Sequence, residues 1–317
     1  MKRSMGSTGC EDTAKTDAPL PWNDEDRAAL VAMMRLMPKR AEWSQLTKRV
    51  AECGRARILW EQDHPGDLFG DNDDAGLLRA AEADVAAWKT APFDFHTFMD
   101  ESYPEQLRSV RQMPPVVFTH GRRLSNDIGV CVVGSREAST RALDFARAVA
   151  GRLVENGLTV VAGLAKGIDT AAHQAALDAG GRTVAVLGNG LDHVYPRENL
   201  RLQQQIAAVG MLLTHFLPDY RPTRYSFPAR NVTMSAYGSA TIIVEAGEKS
   251  GTRIQAREAV AHGRPVILNS IVVQSTAWGN DLKDQPGVYV ARSAGEAVDQ
   301  ALMIINRSVV STVLGLR

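Results

Sequence analysis

Four short stretches of the chain set glycine beside hydroxyl, amide or charged side chains. Residues 134–140 read GSREAST, 163–169 GLAKGID, 188–196 GNGLDHVYP and 245–253 EAGEKSGTR. Small residues let a backbone approach a ligand closely, and N–H groups at a helix start carry partial positive charge toward it. Ser135 and Ser139 add hydroxyls. Arg136 supplies a planar fork suited to phosphate and Lys166 a point charge. Gly134, Ser135, Arg136, Gly163, Lys166 and Gly167 therefore read as a phosphate cradle, with Asn189, Ser250, Gly251 and Thr252 on the neighbouring stretches. The spacing is neither Gly-x-Gly-x-x-Gly nor a P-loop, so dinucleotide and ATP sites of those kinds are disfavoured and no cofactor is expected.

Three titratable residues stand close to these loops. Asp169 opens a helical pattern and reads equally as an N-cap or a ligand contact. His173 lies one turn later on the same face, where a satisfied structural imidazole is favoured over a catalytic base. Glu245 ends a strand-like run and reads either as an acid facing a ligand or as an anchor for the following loop. Residues 218–231, PDYRPTRYSFPARN, are different. Arg221, Arg224 and Arg230 are interleaved with Tyr220, Tyr225 and Phe227, and the only acid is Asp219. Basic groups track a phosphate backbone and aromatic rings stack exposed bases, the combination used on single strands. The alternative is a loop with packed rings and solvated arginines.

The surrounding pattern says what must position these residues. Apolar runs at 128–133, 158–162, 183–187, 211–216, 240–244, 265–268 and 287–290 alternate with helical patterns at 143–155, 171–179, 200–209, 253–262 and 294–305. Continuous apolar strands alternating with helices predict an α/β fold with a doubly wound, mostly parallel buried sheet. In such a sheet, ligands sit beyond the carboxyl ends of the strands, at the switch of strand order. The four glycine stretches each follow a strand, so they are expected to share one rim. Upstream, helical spacing over 25–54 predicts two helices broken at Pro38, with Met33, Met34 and Met37 as core, and a third helix is expected at 77–90. The expected organisation is a disordered tail at 1–22, an N-terminal helical domain at 23–92, a Pro-bearing connector with one short strand at 93–127, the sheet domain at 128–306 and a C-terminal tail at 307–317.

Bulk properties narrow the function classes. The 317 residues carry 36 basic and 36 acidic side chains, so no whole-molecule field attracts polyanions. Residues 1–127 sum to about −4 and 128–317 to about +4, a mild asymmetry. No apolar run is long enough to span a bilayer and the first residues are too polar for a secretory signal, so no membrane association and a cytoplasmic location are expected. Cys10, Cys53 and Cys131 fit no metal spacing and are expected as buried free thiols. A calcium reading of Asp71, Asp73 and Asp74 fails because the glycine and terminal glutamate of such a loop are out of place. No metal is expected.

The blocks VVGSREAST, GLAKGIDTAAH, AVLGNGLDHVYPRENLRL, FPARN, IIVEAGEKSGT and HGRPV, with the lead-in DESYPEQL…MPPVVFTHG, resemble in order those of the DprA/Smf family of DNA-processing proteins, over about residues 93–290. The resemblance implies an extended Rossmann-like domain that binds single-stranded DNA without catalysis and forms a homodimer. It also implies handing the strand to a RecA-type recombinase during DNA processing, natural transformation and recombination. Carried over, Gly134, Ser135, Arg136, Lys166 and Gly167 form the backbone pocket, and Asn199, Phe227, Arg230 and Asn231 build or line the same face. Departures from the family pattern are Arg141-Ala142 for Tyr-Gly, Thr214-His215 for Ser-Glu and Asn269-Ser270 for Pro-Gly. A winged-helix tail is also expected to be lacking. They put the recombinase role and the dimer surface in doubt.

A second reading belongs to another class: a sensor of a nucleotide ligand, or a nucleotide-processing hydrolase resembling the LOG-type phosphoribohydrolases. AGEKSGTRIQARE, with Glu258 in the late position, echoes their motif faintly, and such a protein could serve signalling or defence. Asp169, His173 and Glu245 would have to converge for that chemistry. A scaffold that keeps the fold without the ligand is the third. A strand binder needs positive charge continuing outside the pocket, for which Arg221, Arg224 and Arg253 are candidates.

Overall fold

Gly129–Val133 (β3), Thr159–Ala162 (β4), Thr183–Val186 (β5), Met211–Thr214 (β6) and Ala240–Ile243 (β7) are buried along their whole length, as strands covered on both faces must be. With Val266–Asn269 (β8) and Val288–Ala291 (β9) they form a continuous parallel array. The computed structural model describes residues 22–37, 43–65 and 74–313. The expected tail at 1–22 and the acidic loop around Asp71 and Asp73, like Cys10, lie essentially outside the described residues.

The stretch expected as a connector carries two strands rather than one. Asp94–Thr97 (β1) pairs antiparallel with Val116–Gly121 (β2), and β2 pairs antiparallel with β6. The DFHT strand was not legible because its first two residues are exposed or half-buried, which leaves no apolar run. The sheet order among the described residues is β1-β2-β6-β5-β4-β3-β7-β8-β9. From β3 the chain winds outward through β4, β5 and β6, then returns to the other side of β3 for β7, β8 and β9. The switch of direction therefore falls between β3 and β7.

Side-chain alternation divides the core. Val130, Val132, Val160 and Ile242 face Thr140–Glu155 (α6), Ile168–Asp178 (α7) and Ala294–Val313 (α13). On the same side Ala185, Leu187 and Leu212 meet Leu200–Val209 (α8). Cys131, Val133, Val184 and Leu213 face the opposite layer, built from Ser226–Tyr237 (α9), Thr252–Ala261 (α10) and the upstream helices. Those upstream helices are Asp24–Leu36 (α1), Trp43–Cys53 (α2), Ala56–Asp63 (α3) and Asp74–Trp88 (α4). Leu30, Leu46, Leu59 and Val85 share one hydrophobic cluster with Phe118 of β2, and Trp88 meets Phe118 edge-on at 4.9 Å. Met33 is buried there, as helical spacing predicted. Short helices Glu105–Arg108 (α5), Ser270–Ser275 (α11) and Ala277–Leu282 (α12) complete the fold.

Several boundaries differ from the sequence reading. Ser226–Tyr237 is helical, so the second half of the arginine–aromatic segment is not a loop. The run Ala56–Asp63 is a separate helix, set off by Gly54 at φ +74°. The last helix runs on to Val313. Cys131 is a buried free thiol whose pKa burial pushes up to about 12, whereas Cys53 is only half-buried. No described helix is long and apolar enough to cross a membrane.

Candidate functional site

The loops at the switch point surround a cavity of about 850 Å³, open to solvent and of the size that ligand sites occupy. The β3–α6 loop supplies Gly134, Ser135 and Arg136. The β7–α10 loop and the first residue of α10 supply Lys249, Ser250, Gly251 and Thr252; Arg224 comes from just before α9, and Phe227, Arg230 and Asn231 from its first half. Asp169 of α7 closes one side. Eleven of the expected residues thus converge. Four basic side chains (Arg136, Arg224, Arg230 and Lys249) line the wall against two acids, Glu137 and Asp169.

The basic groups play two parts. Arg136 is exposed, and its guanidinium sits 5.0 Å from the Phe227 ring centroid. Phe227 in turn lies 5.2 Å from the ring of Tyr195. Arg136 forms no carboxylate pair among the described residues, so its donors face solvent and cavity. Arg224 is also exposed, stacked at 4.6 Å over Tyr225 and bonded to its hydroxyl. Arg230 is only 5% exposed; it donates through Nη1 to the Val186 carbonyl at 2.8 Å and through Nε to Asn231 Oδ1 at 3.1 Å. Burial lowers its pKa and the nearby Asp169 carboxylate opposes that. Arg230 is a fixed floor element.

The three titratable residues do not form a catalytic group. Asp169 Oδ2 accepts from the N–H groups of Gly163 (3.0 Å) and Ala165 (3.3 Å), folding the β4–α7 loop back on its helix. Burial raises its pKa, and Arg230 pulls the other way. His173, one turn further along α7, is fully buried against Thr183 Oγ1 at 2.6 Å, and burial lowers its pKa to about 3. Glu245 accepts from the Ser139 N–H at 3.0 Å and its hydroxyl at 2.5 Å, while Ser139 Oγ caps α6 by accepting from Ala142 N–H. Glu245 thus anchors a loop; Asp169 is not the N-cap of α7, which is Gly167, but holds the preceding loop while still lining the cavity.

Five expected residues lie outside the cavity wall. Lys166 points away and pairs with Glu198. Ser139 is the α6 cap just described. Asn189 is 1% exposed, with its amide donating to the Gly190 and His193 carbonyls. Gly163 lies directly under the Arg230 guanidinium. Gly167, at φ +77°, lets the β4–α7 loop touch the β3–α6 loop: a Cβ there would meet the Ser135 carbonyl oxygen at 2.3 Å. Asn199 likewise braces the loop, donating to the Leu164 carbonyl and Thr170 Oγ1, both at 2.9 Å, and so holds Leu164 at φ +60°. The glycine-rich loop therefore shapes the cavity from behind. Arg221 and Glu258 do not line it. Tyr195, Lys249 and Gln255 do, and were not picked out from sequence. Lys249 and Tyr195 lie inside quoted stretches, whereas Gln255 sits in an ordinary helical pattern with no signal of its own.

The model of a family described as DNA recombination-mediator protein A matches residues 94–296. The chain belongs to that family. Among curated relatives, it is 40% identical over 176 residues to DNA processing protein DprA of Streptococcus pneumoniae and 39% identical over 178 residues to Protein Smf of Synechocystis. Each match covers 55% of this chain, with 62% of the first relative and 45% of the second. Among solved structures, the X-ray structure of DNA processing protein A from Streptococcus pneumoniae superposes with a TM-score of 0.68 at 29% identity, covering 88% of this chain and 98% of that one. A Helicobacter pylori DNA processing protein A, solved for its single-stranded DNA binding mode, gives 0.59 at 25% identity over 67% and 97%. The DprA/Smf resemblance and the α/β, mostly parallel sheet expected from sequence both stand.

Proposed function

We propose that this protein binds single-stranded DNA by its phosphate backbone at the β3/β7 switch point, without catalysis, in DNA processing. The observation that carries the reading is the pairing of Arg136 with the Phe227 ring at the mouth of the cavity. A cationic fork set on a half-buried ring that lines the cavity offers a phosphate and a neighbouring base their two preferred partners at once. Arg224 and Lys249 continue the positive wall, and Arg224 on Tyr225 repeats the same motif. The Helicobacter pylori relative, described by its single-stranded DNA binding mode, supports the reading.

The proposal extends to Ser135, Asn231, Ser250, Gly251 and Thr252 as polar lining toward the strand, to self-association as a homodimer, and to delivery of the strand to a RecA-type recombinase. Glu258 stands outside the cavity wall, and Asp169, His173 and Glu245 are each held by structural partners, which disfavours the nucleotide-hydrolase reading.

Fluorescence anisotropy of a labelled single strand over a salt series tests the core of this. Salt-sensitive binding that duplex competes for poorly, and that weakens in Arg136→Ala, is expected. Absence of strand binding, with a mononucleotide protecting the protein against heat, would replace this function with that of a small-ligand sensor.

A further inference from the structure

Gln255, in the first turn of α10, lines the cavity with only 1% of its surface exposed, and neither its Nε2 nor its Oε1 has a hydrogen-bond partner. A buried carboxamide ordinarily satisfies both atoms. The same cavity is lined by the apolar Val133 and Met234, by Thr252, and by the Arg136–Phe227 pair, of which Arg136 is exposed.

The chemistry of the missing partner follows from the carboxamide itself. It offers donors beside an acceptor, in one plane. A phosphate carries only acceptors at neutral pH and would leave Oε1 unmatched; an apolar group would leave both atoms unmatched. The edge of a nucleobase presents a donor beside an acceptor at the spacing a carboxamide reads. Val133 and Met234, both nearly buried, make part of that lining apolar, and Arg136, Arg224 and Lys249 supply cations for the phosphate attached to such a base.

We infer that the cavity takes one unstacked base of a bound single strand, with the Gln255 amide meeting its hydrogen-bonding edge while Arg136 holds the adjoining phosphate. The inference rests on the strand-binding reading above and deepens it. All four bases offer a donor–acceptor pair on some edge, so Gln255 distinguishes a base from no base more than one base from another.

The test compares binding of an oligothymidylate with that of an abasic strand of equal length, across a salt series, for the native protein and for Gln255→Met. Methionine keeps the length of the side chain and removes the amide. The native protein is expected to prefer the base-bearing strand by tenfold or more, and the methionine variant to lose about tenfold of that preference, the scale of one bidentate base contact. The salt slope should be unchanged, because no cation is removed. Gln255→Glu, which keeps the shape but lacks the amide donors, should lose the preference too and carries the test if the methionine variant fails to fold. Equal, salt-sensitive binding of both strands by the native protein overturns the inference and leaves backbone binding intact. So does an unchanged preference in a folded Gln255 variant. Loss of salt-sensitive strand binding altogether overturns the strand-binding reading itself.

Discussion

The Arg230 guanidinium occupies the space a side chain on Gly163 would need: a Cβ built there would meet Nη1 at 1.5 Å. A buried arginine therefore lies flat on the backbone of the loop that follows β4. It is held by the Val186 carbonyl and faces the field of Asp169. Gly163→Ala is expected to push the guanidinium off its acceptor and destabilise the protein by about 1–3 kcal/mol. Asp169→Asn, which strips the buried cation of its nearest opposite charge, should cost at least as much. Urea unfolding at neutral pH measures both. A loss well below 1 kcal/mol in Gly163→Ala would mean that Arg230 has a second, equally good resting place.

Arg136→Ala and Arg224→Ala should each weaken single-strand binding regardless of sequence and lower the salt slope by about one. Lys166→Ala should do less, because Lys166 stands outside the cavity wall and pairs with Glu198. Anisotropy titrations at several salt concentrations rank the three. A loss in Lys166→Ala equal to that in Arg136→Ala would move the phosphate path to the outer side of the β4–α7 loop.

Ser139 and Glu245 form one device, tying the β3–α6 loop to the end of β7 and capping α6. Ser139→Ala should cost about 0.5–2 kcal/mol of stability through the lost cap. Glu245→Ala should loosen the same loop. Because both changes break one unit, the double variant is expected to lose less than the two single losses combined. Additive losses in a denaturation cycle would show that cap and tie act separately.

Acid should destabilise the fold through two buried imidazoles. His173 is held at about pH 3, by burial and then by the charge of Arg230. His96, between Ser102 and Thr119, is held at about 4, chiefly by burial. Between the ordinary value of 6.5 and about 4, the unfolded chain protonates both rings and the folded chain neither. Stability should therefore fall with falling pH in that window, by about 1.4 kcal/mol per pH unit for each ring. Asp169, raised by burial, acts in the opposite sense, so the decisive comparison is with His173→Gln. That variant should unfold with a pH slope shallower by about one proton. An unchanged slope would show that His173 takes up its proton without unfolding.

What sequence alone determined here is whatever depends on local pattern. Runs such as VCVV in β3 and TVVA in β4 are apolar without alternation because helices cover both faces, so the parallel sheet was legible before any coordinate. The rim was legible for the same reason: glycine and polar residues after each strand must gather at the carboxyl ends. The strand β1 was not legible, since DFHT is stabilised by pairing with β2 rather than by a hydrophobic run. Nor could sequence sort the rim. Lys166 and Arg136 are both basic residues in glycine loops, yet one meets Glu198 and the other Phe227, partners 32 and 91 positions away. Gln255 looked like any polar residue of an amphipathic helix until packing closed around it at the cavity lining and left its amide without a partner. Which groups are left unpaired is a property of long-range contacts, and only the tertiary structure decides those.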